Sequence, residues 1–199
     1  MTHWDHIDIG TCDFATSADR YPGSKILLVE PLAHYLIPYG DAEGVTCCVS
    51  AISDRSGAAV IYHIDPAEIE KQDLPEWLKG CSAIDEMPYS LAWAESKGCF
   101  IVQTEITTMT FRDLCSAYAV TSIGHLQIDT EGHEHRILPG VIEMIENGLE
   151  IDEMTVEYDR SLHQDYKIAM ENLFVRLEQI GYVKRKISEL DVHFRLTKA

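Results

Sequence analysis

Two short runs, Ile26-Leu27-Leu28-Val29 and Leu126-Gln127-Ile128, are too uniformly apolar for a sheet with one face in water. Strands of that kind are buried on both faces, which places them in a parallel sheet covered by helices. Each ends in an acid, Glu30 or Asp129, and a third run, Ile7-Asp8-Ile9, ends in Gly10. Apolar runs at 45–52, 58–64, 100–107 and 154–157 read as further strands. The last two, 182–187 and 191–196, are joined by three residues, which makes them antiparallel. The expected fold class is α/β: a mostly parallel central sheet, helices on both faces and an antiparallel C-terminal hairpin.

Three helices are signalled between these strands. Thr110 is a cap residue with Asp113 three positions on, opening a stripe of Phe111, Leu114, Cys115 and Tyr118. Ile137, Leu138, Val141, Ile142 and Ile145 follow helical spacing, with Pro139-Gly140 expected to break or restart the helix. Met170, Leu173, Phe174, Leu177 and Ile180 form the third stripe, closed by Gly181. From about 65 to 99 the pattern dissolves, so one domain spanning 1–199 with an irregular insertion is expected. The insertion carries Trp77, Tyr89 and Trp93, which could stack on a flat ligand or simply pack the insertion against the body.

Charge narrows the partners. The 199 residues carry a net charge of −17 and no basic stripe, which argues against nucleic acid and against anionic membranes. No apolar run is long enough to span a bilayer and no signal peptide is visible, so a cytoplasmic protein acting on a small molecule is expected. Cysteines at 12, 47, 48, 81, 99 and 115 show no metal-finger spacing and read as reduced, buried residues. Cys47 and Cys48 would point to opposite faces of a strand.

The turn after the first strand then decides between cofactors. A dinucleotide site needs several glycines there so that backbone N–H groups reach a pyrophosphate. Thr11, Cys12, Asp13 and Phe14 supply none, and Asp13 would repel it. S-adenosyl-L-methionine has no phosphate and carries a sulfonium cation, so acids near the turn favour it. Glu30, twenty residues beyond Gly10 at the end of a neighbouring strand, is placed to accept ribose hydroxyls.

The second constellation is "LQIDTEGHEHRILPG", residues 126–140, which concentrates ionisable groups at the end of a central strand. Its pattern Ile-Asp-x-Glu-Gly-x-Glu-x-x-x-Leu-x-Gly at 128–140, taken with "HIDIGTCDF", "ILLVEP", "SAISDRSG", "FRDL", "MTVEYD" and "LEQIGY", resembles the FkbM-type family of S-adenosylmethionine-dependent methyltransferases. The resemblance runs from about residue 6 to 185. It implies the Rossmann-like class I methyltransferase fold and, as activity, O-methylation of a hydroxyl on a sugar, glycan or other small molecule. It also implies that Asp8, Gly10, Thr11, Cys12 and Asp13 hold the methionine part, Glu30 the ribose, and Ser50, Ala51 and Ile52 the adenine. Asp129 then lies at the transfer centre, with Glu131 and Glu157 shaping the acceptor side. Cys12 and Phe14 stand where the family turn usually has Asn and Gly, and Gln127 where it has Lys.

Methyl transfer to a hydroxyl needs alignment of the two reactants and a group that takes a proton. Asp129 is the first candidate, followed by His133 and Glu131; Trp77 and Tyr89 are candidate acceptor contacts. Two alternatives stay open. One is a binding module that keeps the cofactor without turnover, suggested by Cys12 and Phe14. The other is a metal-dependent enzyme in which Asp129, Glu131, His133 and His135 share one face of an extended segment; Gly132 and the following helix argue against that, and no metal is assigned.

Overall fold

The computed structural model describes residues 2–12, 16–84, 89–158 and 163–197, with Tyr89 described by its backbone alone. The first half of the chain forms β1 (Thr2–Ile9), α1 (Ser17–Arg20), β2 (Ile26–Val29), a 3-10 segment at Ala33–Tyr39, β3 (Val45–Cys48), β4 (Ala51–Ser53) and β5 (Gly57–Ile64). There follow α2 (Pro66–Lys71), a 3-10 turn at Glu76–Lys79, β6 (Ala83–Ile84), α3 (Tyr89–Ser96), β7 (Ile101–Thr110) and α4 (Phe111–Ala117). The chain continues through β8 (Val120–Ile128), α5 (Glu134–Glu146), β9 (Glu150–Glu157), α6 (Gln164–Gln179), β10 (Tyr182–Lys186) and β11 (Asp191–Leu196).

A seven-stranded sheet has the order β10-β11-β9-β8-β1-β2-β3. β1, β2, β3, β8 and β9 run parallel, and β11 is antiparallel to both of its neighbours. The short link after β10 is what turns the chain back. One sheet face presents Ile7, Ile9, Leu126, Ile128, Met154, Val156 and Phe194, all at most 1% exposed, in one core that includes Leu114 of α4, Leu138 and Val141 of α5, and Phe174 of α6. At roughly 1.5 to 3 kcal/mol per fully buried large aliphatic side chain, this layer is the main source of stability. The other face is covered over β2 by Ala18, Leu36 and Tyr39, packed against Ile26 and Leu28.

The strand order reverses at β1, whose partners are β2 on one side and β8 on the other. At such a switch point the loops leaving the carboxyl ends diverge and open a crevice.

Several expectations are revised. The run 45–52 is two strands, not one. β3 ends the main sheet, Val49 turns outward at 54% exposure, and β4 joins a second, four-stranded sheet of order β4-β7-β5-β6. Runs 58–64 and 100–107 pair with each other there, antiparallel from Gly57↔Thr108 to Ile64↔Ile101. Alternation in Glu105-Ile106-Thr107-Thr108, with Ile106 and Thr108 buried and the other two exposed, is the mark of a strand with one wet face. Among the described residues of 65–99 there is regular structure: α2, α3 and the 3-10 turn between them close a small core with Ile64, Ile69, Leu78, Leu91 and Ala94.

Pro139 does not break α5, which is continuous from Glu134 to Glu146. A mid-helix proline costs about 3 kcal/mol, but Ile137, Leu138, Val141 and Ile142 are all within 1% of complete burial and together outweigh it. Thr110 caps α4 as expected, accepting from the Asp113 N–H at 3.1 Å. Cys47 and Cys48 fall into cores on opposite sides of β3, and all six cysteines are free.

Candidate active site

The ends of β1 and β8 meet at the switch point. Gly10 has φ +80°, and its N–H donates to the carbonyl of Val29 at 3.0 Å while the Asp129 N–H donates to that of Ile9 at 3.0 Å. A Cβ on Gly10 would lie 1.8 Å from the carbonyl oxygen of Asp129, so only glycine permits this approach.

Two acids then shape the turn after β1. Glu30 Oε2 accepts from the Cys12 N–H at 3.1 Å and Oε1 from the Leu32 N–H at 2.9 Å. Burial pushes the Glu30 carboxyl up, opposed by these backbone donors and by that of Thr11. Asp8 accepts from the Ser17 N–H at 2.7 Å and the Ser17 hydroxyl at 2.8 Å, which anchors the start of α1. Both acids face the crevice, yet each is also a structural clamp. Cys12 holds φ +44°, a strained conformation for a side-chain-bearing residue, and the Glu30 bond fixes it.

The loop after β8 bends sharply at Glu131 (φ +55°) and Gly132 (φ +101°) before α5 begins. Glu134, wholly buried, organises it: Oε1 accepts from the Thr130 N–H and hydroxyl, both at 2.7 Å, and from the Gly132 N–H at 3.3 Å. The bend removes the extended face on which Asp129, Glu131, His133 and His135 would have combined. His133 Nε2 lies instead 2.9 Å from Ser53 Oγ on β4, and His135 Nδ1 donates to the Gly132 carbonyl at 2.9 Å.

Carboxylates dominate the side of the crevice at the ends of β8 and β9. The Glu131 N–H donates to Glu157 Oε2 at 3.2 Å, and Asp129, Glu131 and Glu157 present oxygens all within 4.8 Å of one another. That spacing would suit a divalent cation, but the two histidines of the metal reading point elsewhere and no metal is assigned. Burial, reinforced by the charges of Glu134 and Asp191, pushes the Asp129 carboxyl up to about 6, while a hydrogen bond with Glu157 acts the other way. The buried Cys81 thiol is pushed up to about 12 by burial and by the nearby acids, Glu131 first, so it stays a thiol and is no nucleophile.

Between these strand ends lies a cavity of about 230 Å³. Asp8, Gly10, Thr11, Cys12, Glu30, Ser50, Ala51 and Ile52 line it, as do Asp129, Glu131 and His133. Glu157, the acceptor of the Glu131 N–H, is not on the wall. Trp77 is not on the wall either: it is 51% exposed, with its ring stacked on Trp93 at 6.4 Å between centroids. Asp13 and the side chain of Tyr89 lie outside the described residues. The wall also takes Gly80, Ser82 and Ile84 from the segment read as an insertion, and Arg20 from α1. Sequence reasoning missed Glu134, Ser53 and Arg20. Glu134 stood within the quoted motif, but nothing in the spacing showed that it faces inward.

Among solved structures, the chain is similar to the crystal structure of methyltransferase FkbM from Methylobacillus flagellatus KT, with a TM-score of 0.52 and 12% identity. The fold is that of a methyltransferase. The match covers 98% of this chain but 44% of the other, so the chain spans less than half the length of the protein it resembles. No family model and no curated protein matches the sequence. Among the described residues, no helix is long and apolar enough to cross a membrane.

Proposed function

We propose that the chain is an S-adenosyl-L-methionine-dependent methyltransferase that methylates a hydroxyl on a sugar or another small molecule. The observation that carries this reading is the cavity at the switch point, whose wall contains every described residue expected to hold the cofactor. Its charge fits the choice. Asp8, Glu30, Asp129 and Glu131 line it against one cation, Arg20, a balance that favours a sulfonium and disfavours a pyrophosphate. The fold supports the reading, since this crevice is where open α/β sheets bind ligands.

In the reaction, S-adenosyl-L-methionine supplies an electrophilic methyl group. The turn at Gly10–Cys12 and the Glu30 clamp hold the cofactor, and Ala51 and Ile52 offer an apolar wall for its base. Asp129 and Glu131 sit where the acceptor enters, and the proton leaves to one of the groups Asp129, Glu131 or His133. Most of the rate enhancement comes from holding acceptor oxygen and methyl carbon in line.

The test is transfer from methyl-labelled S-adenosyl-L-methionine to a panel of mono- and oligosaccharides and small alcohols and phenols. Labelled product from at least one acceptor, with matching S-adenosylhomocysteine, is the expected result. Cofactor binding with no labelled product from any acceptor would favour the second reading, a binding module, for which Cys12 and Phe14 in the turn are the motive.

A further inference from the structure

We propose that Arg20 is the anion receptor of the cavity and holds the carboxylate of the cofactor's methionine part. That the anion is this carboxylate rests on the methyltransferase reading.

The methionine end of S-adenosyl-L-methionine carries an ammonium and a carboxylate, so a site for it has to serve both signs of charge. Acids for the ammonium are abundant here. Asp8, Glu30, Asp129 and Glu131 all repel a carboxylate, and among the described residues Arg20 is the one lysine or arginine on the wall.

A carboxylate can also rest on backbone N–H groups, where a loop leaves a nest of them open. In this chain the described donors of both strand-end loops are engaged. After β1, the Gly10 N–H donates to the Val29 carbonyl, those of Thr11 and Cys12 to Glu30, that of Thr16 to Asp19 and that of Ser17 to Asp8. After β8, the Asp129 N–H donates to the Ile9 carbonyl, those of Thr130 and Gly132 to Glu134, and that of Glu131 to Glu157. The chain's own carboxylates occupy the donors that an open nest would offer a ligand. The task passes to a side chain.

The start of α1 places Arg20 for it. Asp8 accepts from the Ser17 N–H at 2.7 Å and from its hydroxyl at 2.8 Å, which fixes the first residue of the helix at the crevice. Arg20, three residues on, emerges on the same side. The acids nearest in sequence are already served, because both oxygens of Asp8 bind Ser17, while Asp19 Oδ2 accepts from the Thr16 N–H, the Thr16 hydroxyl and the Tyr39 hydroxyl at 2.8 to 3.1 Å. The Arg20 guanidinium forms no hydrogen bond or ion pair among the described residues. Its planar fork matches a carboxylate with two parallel hydrogen bonds.

Thr11 adds an independent mark of a ligand. It lines the same wall and is 7% exposed, yet its hydroxyl has no hydrogen-bond partner. Buried hydroxyls rarely go unpaired. The turn is built around an acceptor that the chain does not itself supply.

The experiment is calorimetric titration of the full chain, as wild type, Arg20→Gln and Arg20→Lys, with two ligands. One is S-adenosylhomocysteine; the other is its decarboxylated analogue, which keeps the ammonium and lacks the carboxylate. Arg20→Gln is expected to bind S-adenosylhomocysteine about 10-fold more weakly than the wild type, the lower end for a charged pair because the site is open to water. It binds the analogue as tightly as the wild type or more so, since a cation that repels the ammonium is gone. Arg20→Lys keeps the charge and loses the fork, so its affinity for S-adenosylhomocysteine falls between the other two. Equal affinity of wild type and Arg20→Gln for S-adenosylhomocysteine overturns the proposal. An equal loss for both ligands overturns it too, because that is what a purely structural role of Arg20 produces. Both of those results leave the methyltransferase reading standing. A wild type that binds neither ligand instead overturns that reading, and this assignment with it.

Discussion

The hydroxyl of Tyr166 donates to the buried carboxylate of Glu134 across 2.8 Å, tying α6 to the loop that carries Asp129. With Thr130 and Gly132 on its other oxygen, Glu134 has a donor on each side, which satisfies a polar group at 0% exposure. Tyr166→Phe deletes one hydrogen bond to a charged group and should destabilise the fold by about 1.5 to 3 kcal/mol. Urea unfolding measures this as a lower midpoint with an unchanged slope.

The close approach of Gly10 to Asp129 sets a steeper requirement. Gly10→Ala adds a carbon that collides with backbone and also forces a side-chain residue to φ +80°. A loss of about 3 kcal/mol or more is expected, from strain and overlap together. Gly148→Ala is the control: that position also has positive φ, but an added carbon meets nothing within 4 Å, so a loss of only about 1 kcal/mol is expected.

Asp129 imposes a pH dependence of unusual sign for an acid. It titrates at about 6 in the folded chain and at about 3.9 when unfolded. Between those values the folded state binds more protons, so the free energy of unfolding falls as pH rises. The contribution, roughly 2 to 3 kcal/mol, is fully present below about pH 4 and gone above about pH 6. Asp129→Asn should flatten this slope, which denaturant curves at several pH values would show, while suppressing transfer. Burial of Glu30 acts with the same sign. A wild-type stability that rises across this window by the same amount would contradict the assignment.

Much of this was legible because burial and charge leave marks in one dimension. Ile26–Val29 and Leu126–Ile128 announced two-sided burial, and Glu30 and Asp129 at their ends announced the crevice. Thr110 with Asp113 signalled a helix start from two residues. The second sheet was less visible, because β5 and β7 pair across a connection of 36 residues, Asp65 to Phe100, whose own helices are short. Pro139 misled because local propensity yielded to four buried neighbours. The contact between Ser53 and His133 was invisible, since the two stand 80 residues apart.

The Glu30 clamp separates a structural role from a cofactor role. Glu30→Ala frees the N–H groups of Cys12 and Leu32 and should weaken S-adenosylhomocysteine binding by roughly 10- to 150-fold, the equivalent of about 1.5 to 3 kcal/mol. Glu30→Gln keeps the acceptor oxygen on one side only and should fall between it and the wild type. Equal affinity in all three proteins would remove Glu30 from the cofactor site.

Calorimetric titration of the wild-type chain with S-adenosylhomocysteine tests the central claim most directly, because it needs no acceptor. Saturable one-to-one binding at micromolar concentrations, with no heat from NADH, is the predicted result. Absence of binding up to millimolar S-adenosylhomocysteine would contradict the account.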